Sequence, residues 1–430
     1  MPGPLDPGFD TLALHAGSAP DPCTGARITP LHLSTSFVFD SSADAAGLFN
    51  MERSGHVYSR LSNPTTAVFE ERMAALEGGV GAIATASGQA ALWLAIGTIC
   101  AAGGHIVASS QLYGGSHNLL HYTLPRFGIQ TTFVAPADLE AWRAAIRPET
   151  RLLIGESLGN PGMDVLDVPG VAAIAHEAGL PLLVDATLAT PWVSRPIEQG
   201  ADLVMHSATK FLCGHGTVVG GVLIDSGRFD WVKSGKFPEL TQPYAGFHDM
   251  VFAEESTVGA FLLRARREGL RDFGACMSPH TAWLLLQGLE TLPLRMARHV
   301  ANAQAVAEFL AQQAQVKAVG YPGLPSHTSH AKAQALMPRG PGAVFSFELD
   351  ASRAQGQKFI ESLKLFSHLA NVGDARSLVI HPASTTHSRM DEAALTAAGI
   401  APGSIRLSIG LEDPADLIAD LKVALKAAFK

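Results

Sequence analysis

Three short stretches of the chain put reactive side chains at the ends of buried apolar runs. The first is His206-Ser207-Ala208-Thr209-Lys210. A lysine there, followed by Phe211, Leu212 and a glycine-rich turn, is badly placed for water. A partly buried amine has a lowered pKa and can attack an aldehyde, and the hydroxyls of Ser207 and Thr209 beside it suit a phosphate. Taken alone, Lys210 is equally a lysine whose stem runs along apolar surface to solvent. The second stretch is Leu183-Val184-Asp185, an acid ending another apolar run. An acid beneath a pyridine nitrogen keeps that ring protonated and electron-poor, although by itself Asp185 also fits a helix cap or a metal ligand. The third is Thr85-Ala86-Ser87-Gly88-Gln89, which leads from an apolar run into an apolar helical pattern. Free N–H groups at such a helix start, with a glycine allowing close approach, bind phosphate. Alone, Ser-Gly is a common turn.

Taken together, the three fit one ligand. A phosphate cradle, an acid and an amine, in that order, describe a phosphorylated pyridine aldehyde, pyridoxal 5'-phosphate (PLP). Tyr113, in Leu112-Tyr113-Gly114-Gly115, follows another apolar run and either stacks on such a ring or is an ordinary core tyrosine. Other chemistries are less well supplied. The pairs His327/His330 and His381/His387 lack an H-E-x-x-H arrangement and a third ligand, so they read as loop histidines rather than a metal hydrolase. Gly214-His215-Gly216 with Gly220 misses the dinucleotide spacing by one residue.

The elements that must carry these residues are visible as alternation. Short apolar runs at 82–86, 105–109, 131–135, 152–156, 182–185, 203–206 and 218–224 are strand candidates. Helical patterns at 90–100, 139–146 and 168–178 lie between them. Nearly continuous apolar strands alternating with helices predict an α/β fold, a mostly parallel sheet covered on both faces. Ligands in such folds sit outside the carboxyl ends of the strands, where the three stretches fall. A long helical pattern follows at 279–313, then strand candidates at 344–349, 378–380 and 405–409 and a last amphipathic helix at 416–429. This divides the chain into an arm (1–65), a large domain (66–275) and a smaller C-terminal α/β domain (276–430). The arm is rich in proline and weakly periodic, so it is expected to be extended and to lie on something else, a neighbouring subunit included. The arginines 264, 266, 267 and 271 read as a solvated or salt-bridged helix face.

Composition sets the outer limits. The 430 residues are 47% hydrophobic and 16% charged, which excludes a disordered or fibrous chain. A net charge of −8 without a basic tract argues against nucleic acid as partner. The longest apolar stretch, 90–102, contains Gly97 and Thr98 and is too short to span a membrane. The opening MPGPLDPGFD lacks the basic and apolar regions of a signal peptide. Cys23, Cys100, Cys213 and Cys276 are few and scattered, so a reducing cytoplasm is the simplest setting, and Cys213 reads as a small buried hydrophobe.

A series of motifs, in order, resembles the Cys/Met-metabolism family of PLP enzymes. These are Tyr58-Ser59-Arg60 with Asn63-Pro64, Ala86-Ser87-Gly88-Gln89-Ala90, Tyr113-Gly114-Gly115, Asn160-Pro161, Val184-Asp185, Ser207-Ala208-Thr209-Lys210, His381-Pro382-Ala383-Ser384 and Arg406-Leu407-Ser408. Three further features are similar to its O-acetylhomoserine sulfhydrylase branch. They are Leu14-His15-Ala16-Gly17 with Pro20-Asp21-Pro22, the long segment 237–271, and Asn371-Val372-Gly373-Asp374 before the histidine motif. The resemblance implies the type I fold of PLP-dependent transferases, with a seven-stranded sheet. It implies that Lys210 condenses with the cofactor aldehyde, Asp185 pairs with the pyridinium, Tyr113 covers the ring, and Gly88, Gln89, Ser207 and Thr209 hold the phosphate. Tyr58 and Arg60 would reach the phosphate of the neighbouring subunit, so the enzyme would be a dimer with shared sites, assembling to a homotetramer. Arg406 would grip the substrate carboxylate in a bidentate fork. Asn371 would assist there, and Asn160 would lie near the cofactor's phenolic oxygen.

The implied reaction is γ-replacement on O-acetyl-L-homoserine. Lys210, displaced by the substrate amine, takes the α-proton, acetate leaves the γ-carbon, and sulfide or a small thiol such as methanethiol adds, with Tyr113 assisting proton relay. The products would be homocysteine or methionine, a step of methionine biosynthesis. The alternative on the same fold is γ-elimination by a methionine or cystathionine γ-lyase. One departure stands out: the family's usual Asn after the pyridinium acid is Ala186 here, followed by Thr187.

Overall fold

A computed structural model describes residues 7–50, 53–159, 162–385 and 401–430. Seven strands, β1 (Gly81–Thr85), β2 (His105–Ser109), β3 (Gln130–Val134), β4 (Thr150–Glu156), β5 (Leu182–Asp185), β6 (Leu203–His206) and β7 (Gly221–Asp225), form one sheet in the order β1-β7-β6-β5-β4-β2-β3. Strands β6, β5, β4, β2 and β3 run parallel, and β7 runs antiparallel to both its neighbours. Successive residues of each strand serve opposite faces. Val107, Leu153, Val184, Val204 and Val222 enter one core. Ile106, Leu152, Leu183, Leu203 and Leu223 enter the other. With both faces covered, each strand must be apolar along its length, which is why the runs were legible.

Helix Pro64–Glu77 starts on the Asn63 cap, whose side chain accepts from Thr65 N, and ends at Gly78, left-handed at φ +79°. Helix Gly88–Ile99 starts on Ser87, whose hydroxyl accepts from Ala90 N. Where one long helix is expected over 279–313, there are two, Pro279–Glu290 and Leu292–Ala311. Pro293, lacking an N–H, fits the first turn of the second helix and not the interior of a continuous one. A second sheet follows, with β8 (Val316–Gly320), β9 (Val344–Leu349), β10 (Ser367–His368), β11 (Leu378–Ile380) and β12 (Ser404–Ser408) in the order β10-β11-β12-β9-β8. Its Phe345, Phe347, Ile405 and Leu407 belong to the same core cluster as Val184 and Val204.

The first 65 residues are less extended than their composition predicts. They hold the helices Phe9–His15 and Ser42–Phe49. Phe9 and Ala13 are buried in the main core, whereas Leu33 is 71% and Val38 98% exposed. Arg266 fastens this region to the sheet: it donates to Leu61 O at 2.7 Å, Ala82 O at 3.0 Å and Glu70 Oε2 at 2.7 Å. Glu70 in turn accepts from Ala84 N of β1. Its neighbours Arg264 and Arg271 pair with Glu268 and Asp272, so this part of the arginine face is salt-bridged. All four cysteines are free, and Cys213 is buried. Among the described residues no helix is long and apolar enough to cross a membrane, and no cluster of acids, histidines and cysteines could hold a metal ion. His381 is buried between Ser384 and Pro402 O, while His387 lies outside the described residues.

Candidate active site

A cleft of about 320 Å³ opens at the carboxyl ends of β4, β5 and β6. Its lining brings together Ser87, Gly88, Gln89, Tyr113, Asp185, Ser207, Thr209, Lys210, Asn371 and Arg406. Ten positions spread over more than 300 residues meet because strand ends, a helix start and the second sheet share one rim.

Glycines make that rim tight. A Cβ on Gly88 would lie 2.7 Å from Ser207 Cβ, and one on Gly221 would lie 2.1 Å from Ser87 O. The start of helix Gly88–Ile99 is therefore pressed against β7 and the Ser207 turn, where no side chain fits between. The first N–H groups of a helix have no partner within it, and Ser87 Oγ takes only that of Ala90, which leaves the Gly88 and Gln89 amides to the cleft. Thr209 Oγ1 is already engaged, donating to Gly220 O at 3.2 Å and accepting from Gly220 N at 3.1 Å.

Asp185 ends β5 and accepts from Thr187 twice, from its N at 2.9 Å and from its Oγ1 at 2.5 Å. The same Thr187 hydroxyl accepts from Ser207 N at 2.8 Å. Burial raises the Asp185 pKa, while these donors and His206 oppose the rise. Such a carboxyl suits a positively charged ring nitrogen, which would restore its charge.

Lys210 Nζ donates to Asn371 Oδ1 at 2.5 Å. Its pKa is lowered, first by burial and then by the Arg406 charge. A neutral amine is the form that attacks an aldehyde. Gly373, at φ +78°, lets the 371–374 loop press on the Lys210 turn, since a Cβ there would lie 2.6 Å from Phe211 N. Arg406 sits in the middle of β12, with its own pKa lowered by burial and Tyr113 opposing that shift; no acid faces it among the described residues. A half-buried guanidinium without a carboxylate partner is suited to receive one.

The predicted residues do not all converge. Tyr58 and Arg60 lie outside the cleft, both exposed, with the Arg60 guanidinium 5.4 Å from the Tyr58 ring centroid. Asn160 lies outside the described residues. Among the cleft residues that the sequence reading did not select, two bond directly to predicted ones. Glu156 ends β4 and accepts from Tyr113 N at 2.5 Å; the signal that selected Asp185, an acid closing a buried run, selects Glu156 as well. Thr187 was noticed only as a neighbour of Ala186, yet it supplies both described donors to Asp185.

The donor set fits PLP: free amides and a hydroxyl for a phosphate, a buried acid for a ring nitrogen, a deprotonatable lysine for an aldehyde. Comparison with known proteins agrees. The family model described as Cys/Met metabolism PLP-dependent enzyme matches residues 10–426. An O-acetyl-L-homoserine sulfhydrylase of Leptospira meyeri is 49% identical over 426 residues, covering 97% of this chain and 96% of that protein. A homocysteine synthase of Schizosaccharomyces pombe is 47% identical over 422 residues, covering 98% of each. A crystal structure of a putative O-acetylhomoserine (thiol)-lyase from Campylobacter jejuni, which carries N'-pyridoxyl-lysine-5'-monophosphate, superimposes with a TM-score of 0.93 at 36% identity, over 97% of this chain and 100% of that one. With a cleft built for that cofactor and similarity that runs from end to end, this chain belongs to the Cys/Met metabolism PLP-dependent enzymes.

Proposed function

We propose that this enzyme exchanges the acetoxy group of O-acetyl-L-homoserine for sulfide or a small thiol such as methanethiol, releasing acetate and L-homocysteine or methionine. The observation that supports it most is the meeting of Lys210, Asp185 and Arg406 in one cleft of a chain that aligns end to end with sulfhydrylases. Bound PLP supplies an electron sink for the negative charge left when a proton leaves the substrate α-carbon.

The residues divide the work. Lys210 Nζ would hold the cofactor through its aldehyde and would be freed when the substrate amine binds there. Once free, Nζ takes the α-proton and returns a proton after sulfur has added, a positioned acid–base role worth roughly 10²–10⁴ in rate. Asp185, oriented by Thr187, would keep the ring nitrogen protonated. The Gly88 and Gln89 amides with the Ser207 and Thr209 hydroxyls would hold the phosphate, Thr209 turning its proton from Gly220 O toward it. Arg406 takes the substrate carboxylate with help from Asn371, and Tyr113 covers the ring and assists in moving protons.

Tyr58 and Arg60 act on the other subunit's phosphate in a dimer with shared sites, and dimers pair into tetramers. Their exposure on an arm of bare apolar side chains supports this reading. The division into an arm (1–65), a cofactor domain (66–275) and a domain carrying the substrate arginine (276–430) follows these roles. Four free cysteines suit a reducing cytoplasm.

The test is a visible spectrum titrated with O-acetylhomoserine and then sulfide, with product analysis in parallel. Acetate together with homocysteine, formed only when sulfide is present, is the expected result. Oxo acid and ammonia formed at the same rate without sulfide would replace γ-replacement by γ-elimination.

A further inference from the structure

We propose that Glu156 is a positioning residue for this reaction: as a neutral carboxylic acid it holds the Tyr113 backbone in place and leaves Asp185 as the single negative charge beneath the ring nitrogen. The inference rests on the assignment of the cleft as a PLP site.

Three observations carry it. Glu156 and Asp185 are register partners at the ends of the adjacent parallel strands β4 and β5, so their carboxyl groups enter the cleft side by side. Between and beneath them the floor is apolar, made by Leu92, Leu112, Ile154, Leu183 and Met205, with the Ser116 hydroxyl at its edge. Two carboxylates that close in such a setting do not both ionise, and the proton settles on the one with fewer donors. Asp185 has two donors from Thr187; Glu156 has one, the Tyr113 amide. Burial and the Asp185 charge push the Glu156 pKa well up, in keeping with this division.

The amide contact matters because of where Tyr113 sits. Its ring lies over Gly115, where a Cβ would come within 2.4 Å of Tyr113 Cε1, and the side chain is 53% exposed. Little but the backbone at 113 sets where that ring stands over the cleft. Glu156 Oε1 is the acceptor that fixes this backbone from inside the sheet.

The experiment uses the PLP-loaded enzyme and three variants, with steady-state kinetics and visible circular dichroism of the bound cofactor, which reports ring orientation. Glu156→Gln keeps the acceptor and the neutral charge, so kcat within about threefold of the parent and an unchanged dichroic band are expected. Glu156→Leu removes the acceptor, and Glu156→Asp withdraws it by one methylene without emptying the site. Both should keep cofactor but lose dichroic intensity, with kcat down ~10–10²-fold and KM changed less. If Glu156→Leu fails to fold, Glu156→Asp decides alone. A Glu156→Gln enzyme as impaired as Glu156→Asp would mean that an ionised carboxylate is needed. Parental kcat and dichroism in Glu156→Asp would show that the amide contact positions nothing. Either result overturns the proposal while the parent enzyme still binds PLP; a parent without a visible cofactor band would instead overturn the assignment of the cleft.

Discussion

Asp185 and Asp225 both close strands of the same sheet, Asp185 partly buried and Asp225 wholly so, and burial raises the pKa of both. They face opposite edges, because β7 runs against its neighbours and its last residue pairs with the first of β6. Asp185 opens on the cleft, takes two donors from Thr187 and has Lys210 and the open start of helix Gly88–Ile99 on the same rim. Asp225 takes one donor, Gly227 N at 2.8 Å, and its second oxygen is buried without a partner. Burial drives it to about 7, helped by the nearby Asp202 charge. A perturbed acid is thus no mark of function by itself. What separates the two acids is company: a cation, free amides and room for a ligand around Asp185, a second acid and no opening of its own for Asp225.

Mutation at each edge can break this contrast. Lys210→Ala should have the largest effect, a fall in turnover of ~10³-fold or more, with no borohydride-trapped mass adduct on the protein. A variant that kept its adduct would move the reactive amine elsewhere. Asp185→Asn should follow, with kcat lower by ~10²–10³-fold, since one preorganised charge is removed from beneath the ring. Equal losses in Asp185→Asn and Asp225→Asn would abolish the distinction between the edges.

The arm sharpens the comparison, because its share of the site is expected to come from outside the chain. Arg60→Ala should weaken cofactor binding about tenfold, as expected for one lost charge-assisted hydrogen bond to phosphate. Refolded together at limiting PLP, Arg60→Ala and Lys210→Ala chains should turn over faster than the sum of the two refolded separately. Absence of that gain would place Arg60 in its own chain's cleft.

Asp225→Asn should have the smallest effect on activity, within twofold of the parent. Its effect is on stability. The folded Asp225 keeps its proton up to about pH 7, whereas an unfolded aspartate loses it near 3.8. Between those values the folded state binds more protons, so stability falls as pH rises through that window and stays low above it. Asp225→Asn should therefore raise Tm by a few degrees at pH 8 and leave it unchanged or slightly lower at pH 4, as measured by thermal melts.

Most of the large domain was legible because a sheet buried on both faces leaves no freedom in its strands. β2, β5 and β6 end where their apolar runs end. β7 begins three residues after its run does, since Gly220 is held by Thr209 before the strand starts. β8 was missed because it is a half-exposed edge strand, Val316–Gly320, without a continuous apolar face. Helix Phe9–His15 was missed because only Phe9 and Ala13 are buried over barely two turns, too little periodicity to read. In the site, Lys210 and Asp185 stood out by ending apolar runs. Thr187 did not, because its importance lies in two hydrogen bonds to residues that only the fold brings together.

That threonine has a consequence for the choice of ligand. One hydroxyl ties the carboxylate proposed for the ring to the backbone of Ser207, whose own hydroxyl is proposed for the phosphate. The span between the two grips is then set like the gap of a caliper, with no flexible link to lengthen it. A pyridine whose phosphate hangs one methylene farther out would meet either jaw but never both.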